Sequence, residues 1–325
     1  MSEAVTIELS NYLEDSETQR VCLFATSRAE RNSMVRRVDS GEFVCPWPEL
    51  YARTSYWSQL NRGEQTLHIV KALGILHKTW AFSHATAALV HGFSVSYNLL
   101  DPIHFITETS GGGQAVEGLR HHRSKSLKSE AVGGIKVTPA TQTVADCLRA
   151  LPLPSAIAIG DSALRSGRIG RQNLANCLAS AKGARGIRRA RQIAELLDPR
   201  AESGGESFVR GRLIELGFAV HDIQMPVPDP EASWRQPFRL DIVLRRPDGG
   251  LVDLEVDGRQ KYEDETMTRG RPMAGVFMDE RQREARITAH GIRIVRITPK
   301  QARDDKLLLK KLEAYGLSPT VEPLT

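Results

Sequence analysis

Residues 238–258 constrain the fold more tightly than any other part of the chain. Two runs, Phe238-Arg239-Leu240-Asp241-Ile242-Val243-Leu244 and Leu251-Val252-Asp253-Leu254-Glu255-Val256-Asp257, flank the turn Pro247-Asp248-Gly249-Gly250. An Asp-Gly step between two alternating runs is a strong hairpin signal, so an antiparallel pair of strands is expected here. Period-two alternation then sets Asp253, Glu255 and Asp257 on one face of the second strand, with Val252, Leu254 and Val256 on the other. Three like charges in a row repel one another in a plain strand, and a divalent cation relieves that repulsion. Asp241 on the paired strand joins them. So does Glu206, on a preceding helix whose buried stripe is Val209, Leu213 and Leu216. A carboxylate on the core side of a helix is costly unless it is paired or ligating. The set is an all-oxygen cluster suited to Mg2+ or Mn2+, and Lys261 and Tyr262 follow the strand end.

A calcium-binding helix–loop–helix loop shares the Asp253-x-Glu255-x-Asp257-Gly258 opening, but the rest of that loop does not follow. Arg259 and Lys261 fall on its seventh and ninth positions and Asp264 on its twelfth. The glycines Gly111-Gly112-Gly113 are not followed by the Gly-Lys-Ser/Thr of a phosphate loop. Cys22, Cys45, Cys147 and Cys177 are far apart, which argues against a zinc ribbon, a redox pair or a disulfide scaffold. His77, His84, His91, His104, His121 and His122 are scattered without metal-ligand spacing, so each is expected to be structural or superficial. No apolar run approaches the roughly 18 residues of a membrane span, and the acidic stretch from Met1 to Asp15 does not read as a secretory signal. A cytoplasmic protein with no membrane partner is the expectation.

Charge is unevenly spread over the 325 residues. Residues 1–19 carry net −5, residues 20–200 net +11 and residues 201–325 net −1. A basic stretch of that length favours a polyanion, and DNA is the partner expected. Within it, Ser27 and Glu30 have capping-box spacing. They begin a helix through Met34, Val35 and Val38 whose other face bears Arg28, Arg31, Arg36 and Arg37. A short strand, Gly41 to Val44, follows and ends at Pro46 and Pro48. This order is that of a winged helix, with the arginine-bearing helix as the DNA-contacting element. Leu67, Val70, Leu73 and Leu76 mark another helix face, and Ser83–Leu89 a further helix stopping before Gly92. Strands are expected over Pro102–Thr107 and Gly134–Thr138. Residues 165–200 hold nine basic residues, readable as a phosphate-tracking helix or as a basic linker. Asp198-Pro199 and Ser203-Gly204-Gly205 suggest a domain boundary. The expected architecture is α/β and α+β multidomain, with a winged-helix-like unit over 1–65, an α/β domain over 66–200 and a third domain over 201–325.

Two resemblances sharpen this reading. The order Glu206, Asp241, Glu255-x-Asp257-Gly258-x-x-Lys261, Glu280-x-x-Arg283-x-x-x-Ile287 and Gly291-Ile292-Arg293-Ile294-Val295-Arg296-Ile297-Thr298 resembles the very-short-patch-repair-endonuclease-like domains. These have the restriction-endonuclease-like fold, a mixed sheet flanked by helices. The likeness implies Asp241 and Glu255 as metal ligands, Glu206 and Asp257 in support, and Lys261 stabilising charge during Mg2+- or Mn2+-dependent phosphodiester hydrolysis. The chain departs from the wider nuclease pattern at Asp257, where a Lys is usual, and Lys261 replaces a frequent His. A segment of extra residues, Tyr262 to Phe277, also precedes the Glu280 helix. The second resemblance joins the arginine-rich unit over 27–53 with the segments Ser83–Gly92 and Val137–Asp146. Together these are similar to AbiEi-type antitoxins, which implies an N-terminal winged helix repressing its own operator and a nucleotidyltransferase-type toxin as partner. Ser83, Thr143 and Asp146 read as helix caps and packing groups.

Overall fold

In a computed structural model, residues 12–108, 116–232, 234–257 and 273–322 are described. They form a mixed α/β protein with three separate sheets, divided into two compact units, Met1–Cys147 and Leu148–Thr325.

After a helical stretch over residues 12–18, the first unit forms a three-stranded sheet, ordered β1-β3-β2, of β1 (Leu23–Phe24), β2 (Phe43–Trp47) and β3 (Leu50–Arg53). Helix α1 (Arg28–Asp39) starts at Ser27, whose Oγ accepts from the Glu30 amide at 3.2 Å. The Glu30 carboxylate reaches past the cap to the amide and hydroxyl of Thr26. Met34 is fully buried with Leu23, Phe43 and Tyr51, whereas Val35, expected on the same face, is exposed. The strand expected to end at Pro46 runs through it. β2 is an edge strand whose register shifts between Val44 and Trp47, so a residue lacking an N–H is tolerated there.

A five-stranded sheet follows, ordered β6-β5-β4-β8-β7: β4 (Ala81–Phe82), β5 (Ile103–Thr107), β6 (Leu119–Arg123), β7 (Glu130–Val132) and β8 (Ile135–Val137). Helix α2 (Arg62–Leu76) begins with a complete Asn61–Glu64 capping box and buries Thr66, Ile69, Val70 and Leu73. Leu76 is exposed and Leu67 only half-buried, because strict three-residue steps drift about 60° per step around a helix. Helix α3 (His84–Val90) and helix α4 (Ala140–Ala150) complete this part, and the division between the units falls within α4.

The second unit begins with helices α5 (Leu153–Arg165), α6 (Arg171–Ser180) and α7 (Ile187–Leu196). Its sheet, ordered β12-β11-β10-β9, is mixed and has helices on both faces. β10 (Phe238–Arg245) runs antiparallel to β9 (Val220–Val227) and to β11 (Leu251–Val256), while β11 is parallel to β12 (Arg293–Ile297). The expected hairpin is present, with Gly249 at φ +86° supplying the left-handed turn residue. Helix α8 (Gly204–Glu215) packs Val209 and Leu213 on Val252, Leu254 and Val256. Beneath the other face, Ile287 of α9 (Met273–Thr288) packs with Leu240, Val243 and Ile292. Ser203, Gly204 and Gly205 are the N-cap and first turn of α8. Among the described residues no helix is long and apolar enough to cross a membrane.

Candidate functional site

The site grows from the register of three strands. With Val252, Leu254 and Val256 turned into the core under α8, alternation points Asp253 and Glu255 to the opposite face. Pairing sets Val243 opposite Asp253, and the same register puts Asp241 across from Glu255. Asp241 Oδ2 accepts from the Val256 amide at 3.0 Å. On the other side of β11, Arg296 of β12 lies beside Glu255.

Arginines meet the carboxylates. Arg283 of α9 hydrogen-bonds Glu255 and also donates to the Arg239 carbonyl at 3.0 Å. Arg296 reaches Glu255 at 3.4 Å, Asp257 at 3.7 Å, Glu280 at 2.6 Å and Glu284 at 2.7 Å. Carboxylate oxygens of Glu255, Glu280 and Glu284 lie within 4.8 Å of one another. Sequence reasoning left Glu280, Glu284, Arg283 and Arg296 out of the candidate site. Spacing puts Glu280, Arg283 and Glu284 on one face of α9, but only the tertiary fold brings that face, and Arg296 of β12, to Glu255.

Asp253 is the exceptional group. It is 0% exposed, and neither carboxyl oxygen has a hydrogen-bond partner of normal geometry among the described residues. Burial, then the negative charges of Glu255 and Asp241, push it up to about 8, and a weak pull from the Ile242 amide and Arg283 does not offset them.

The remaining candidates are distributed as follows. Glu206 is buried but fully engaged: its carboxylate accepts from Ser203 Oγ at 2.7 Å, the Glu202 amide at 2.8 Å and Gln224 Nε2 at 2.9 Å. That is the work of a helix-start residue. Asp257 follows β11, its amide bonded to the Ile297 carbonyl at 3.0 Å. Lys261, with Gly258 and Tyr262, lies outside the described residues. Arg239 pairs with Glu202 rather than with the cluster.

Of the four arginines on α1, Arg31 pairs with Glu49, and Arg37 with Glu42 at 2.5 Å. Arg28 and Arg36 are exposed and carry no ion pair among the described residues. Four of the nine basic residues over 165–200 donate to main-chain carbonyls inside the fold. Arg189 donates to the Leu148 and Leu151 carbonyls, Arg191 to that of Leu178, Arg171 to that of Leu197, and Arg165 to that of Ala201. Most of these carbonyls lie at or near helix C-termini, where basic side chains satisfy groups the helix cannot.

Comparison with known proteins gives one line of kinship. The chain is 30% identical over 213 residues to an uncharacterized protein of Mycobacterium tuberculosis strain CDC 1551 / Oshkosh, covering 64% of this chain and 70% of the relative. An uncharacterized protein of strain ATCC 25618 / H37Rv matches with the same identity and coverage. No protein-family model matches the chain, and no solved structure matches significantly.

Proposed function

The chain belongs to one family with these mycobacterial proteins, and we propose that it is a DNA-binding protein carrying a Mg2+- or Mn2+-dependent endonuclease-like site on its C-terminal sheet. The observation that carries the proposal is Asp253, a buried carboxyl whose oxygens meet no hydrogen-bond partner of normal geometry among the described residues, set among Asp241 and Glu255. A structural ion-pair network has no use for an orphaned acid at its centre. The donor set fits a hard divalent cation: all oxygen, carboxylate-rich, and more acidic than its two arginines balance. Asp241 and Glu255 would hold the ion, with Asp253 behind them. Bound there, the ion would supply a Lewis acid for phosphodiester hydrolysis. Arg283 and Arg296, released in part from Glu255, would then offset charge on the phosphate. Arg296 stands beside Asp257, where the wider nuclease pattern has a lysine. The mixed sheet between α8 and α9 supports a restriction-endonuclease-like assignment, and the small sheet following α1 supports a winged-helix-like one. Arg28 and Arg36 would contact DNA.

A second reading has its own support. Arginines already engage Glu255, as they would in a catalytically inactive nuclease-like domain attached to an antitoxin-type repressor with a nucleotidyltransferase-type toxin as partner. Metal-dependent melting separates the two. Millimolar Mg2+ or Mn2+ should raise the melting temperature of the full chain, since a ligand that binds only the folded state stabilises it. Asp241→Asn with Glu255→Gln should abolish the rise. An unchanged melting temperature in the wild type would favour the inactive reading.

A further inference from the structure

The first unit holds a second convergence of ligating groups, built from histidines far apart in sequence. His104 on β5 and His122 on β6 lie on neighbouring parallel strands, where Ile106 is paired with His122 and His104 with Arg120. Both therefore project from the same face of the sheet. His104 Nδ1 lies 2.9 Å from His122 Nε2. His84, the first residue of α3, stacks on His122 with ring centroids 3.8 Å apart and lies 5.3 Å from the His104 ring. One ring nitrogen from each of the three lies within 4.8 Å of the others. His121, between Arg120 and His122, faces the other way, with Nε2 on Thr107 Oγ1 at 2.8 Å.

We propose that His84, His104 and His122 form a binding site for a zinc-type divalent cation. Three imidazoles suit Zn2+, Co2+ or Ni2+ rather than Mg2+ or Ca2+, and a set of three leaves a fourth position for water or an anion. Zn–N bonds of about 2.0–2.1 Å at tetrahedral angles separate the nitrogens by about 3.3 Å. The 2.9 Å gap between His104 and His122 thus needs to open by only a few tenths of an ångström. Outer groups are in place. His84 Nδ1 is held by the fully buried Ser83 Oγ at 3.0 Å, which fixes the orientation of its ring. The His104 amide is fixed on Thr86 Oγ1 at 2.8 Å. His84 itself sits at φ +51°, a disfavoured left-handed conformation for a non-glycine residue. Such an outlier at a convergence of ligands is what a built site produces.

The test uses the full chain stripped of metal and titrated with Co2+ and Zn2+. One equivalent of Co2+ should give the intense visible absorption of a four-coordinate ion, bleached by Zn2+. His104→Ala and His122→Gln should each weaken Zn2+ binding at least about 100-fold and remove the bands. His121→Ala, and the paired Asp241→Asn and Glu255→Gln changes, should leave them intact, which separates this site from the carboxylate cluster. X-ray absorption of the zinc-loaded wild type should show imidazole nitrogens at about 2.0 Å, a readout that does not depend on how the variants fold. An all-oxygen shell, or Zn2+ affinity retained in folded His104→Ala and His122→Gln, would overturn the proposal.

Discussion

Asp253 carries the most specific prediction at the scale of single residues. Its folded-state pKa lies at about 8 against an ordinary 3.8, raised first by burial and then by Glu255 and Asp241. The folded state therefore holds the proton more tightly than the unfolded one. The stability this gives is complete below pH 3.8 and is lost as pH rises through about 8. Asp253→Asn should flatten that dependence and leave the metal-free protein about 1–2 kcal/mol more stable than wild type at pH 8. Urea unfolding across pH 4 to 8 reads the difference, and parallel profiles for the two proteins would contradict it. Arg283 makes the converse case. Removing it as Arg283→Ala leaves buried Glu255, among the described residues, with Arg296 at 3.4 Å as its counter-charge. The cost should be about 2 kcal/mol, less than for a fully buried pair because Arg283 is partly exposed. Millimolar Mn2+ should then raise the melting temperature of this variant more than that of the wild type, since the ion takes the place of the lost counter-charge.

Arginines that look alike in sequence serve different ends when followed element by element. Arg189 closes helix-end carbonyls of Leu148 and Leu151, so Arg189→Ala should cost about 1–2 kcal/mol and leave DNA affinity unchanged. Arg28 and Arg36 stand exposed on α1, so changing both to Ala should leave stability intact. It should also lower the slope of log affinity against log salt by about 1.8, near 0.9 for each lost phosphate contact. Gel shifts at several salt concentrations give that slope, and an unaltered slope would remove α1 from the DNA-contacting role. The sequence disclosed elements where local chemistry decides them. The 238–257 hairpin, the Ser27 cap and the Ser83–Leu89 helix all follow from turn residues, alternation and caps. It misled where partners are distant. Small polar residues mark both domain boundaries and helix starts, so Ser203-Gly204-Gly205 does not by itself disclose the α8 N-terminus it forms, and the strand continues through Pro46 at a sheet edge. In the site, Asp241, Glu255 and Asp257 were legible from alternation. Arg283, Arg296 and the trio of His84, His104 and His122 were not, since each reaches its partner through tertiary structure rather than sequence spacing.

For the molecule as a whole, under the proposed function the basic surplus over residues 20–200 has the task of holding a polyanion and the carboxylate cluster of the C-terminal sheet that of acting on it. Part of that surplus is consumed internally by carbonyl capping, so DNA affinity should rest on fewer side chains than a net charge of +11 suggests. The central claim is that Asp241 and Glu255 belong to a metal-dependent phosphodiester-cleaving site. Incubating the full chain with supercoiled plasmid in millimolar Mn2+ tests it most directly. The wild type should convert the plasmid to nicked and linear forms, chelation should stop the conversion, and a folded protein carrying Asp241→Asn and Glu255→Gln should leave the plasmid intact. A wild type that binds the plasmid without cutting it, or a doubly substituted protein that cuts at the wild-type rate, would contradict the claim.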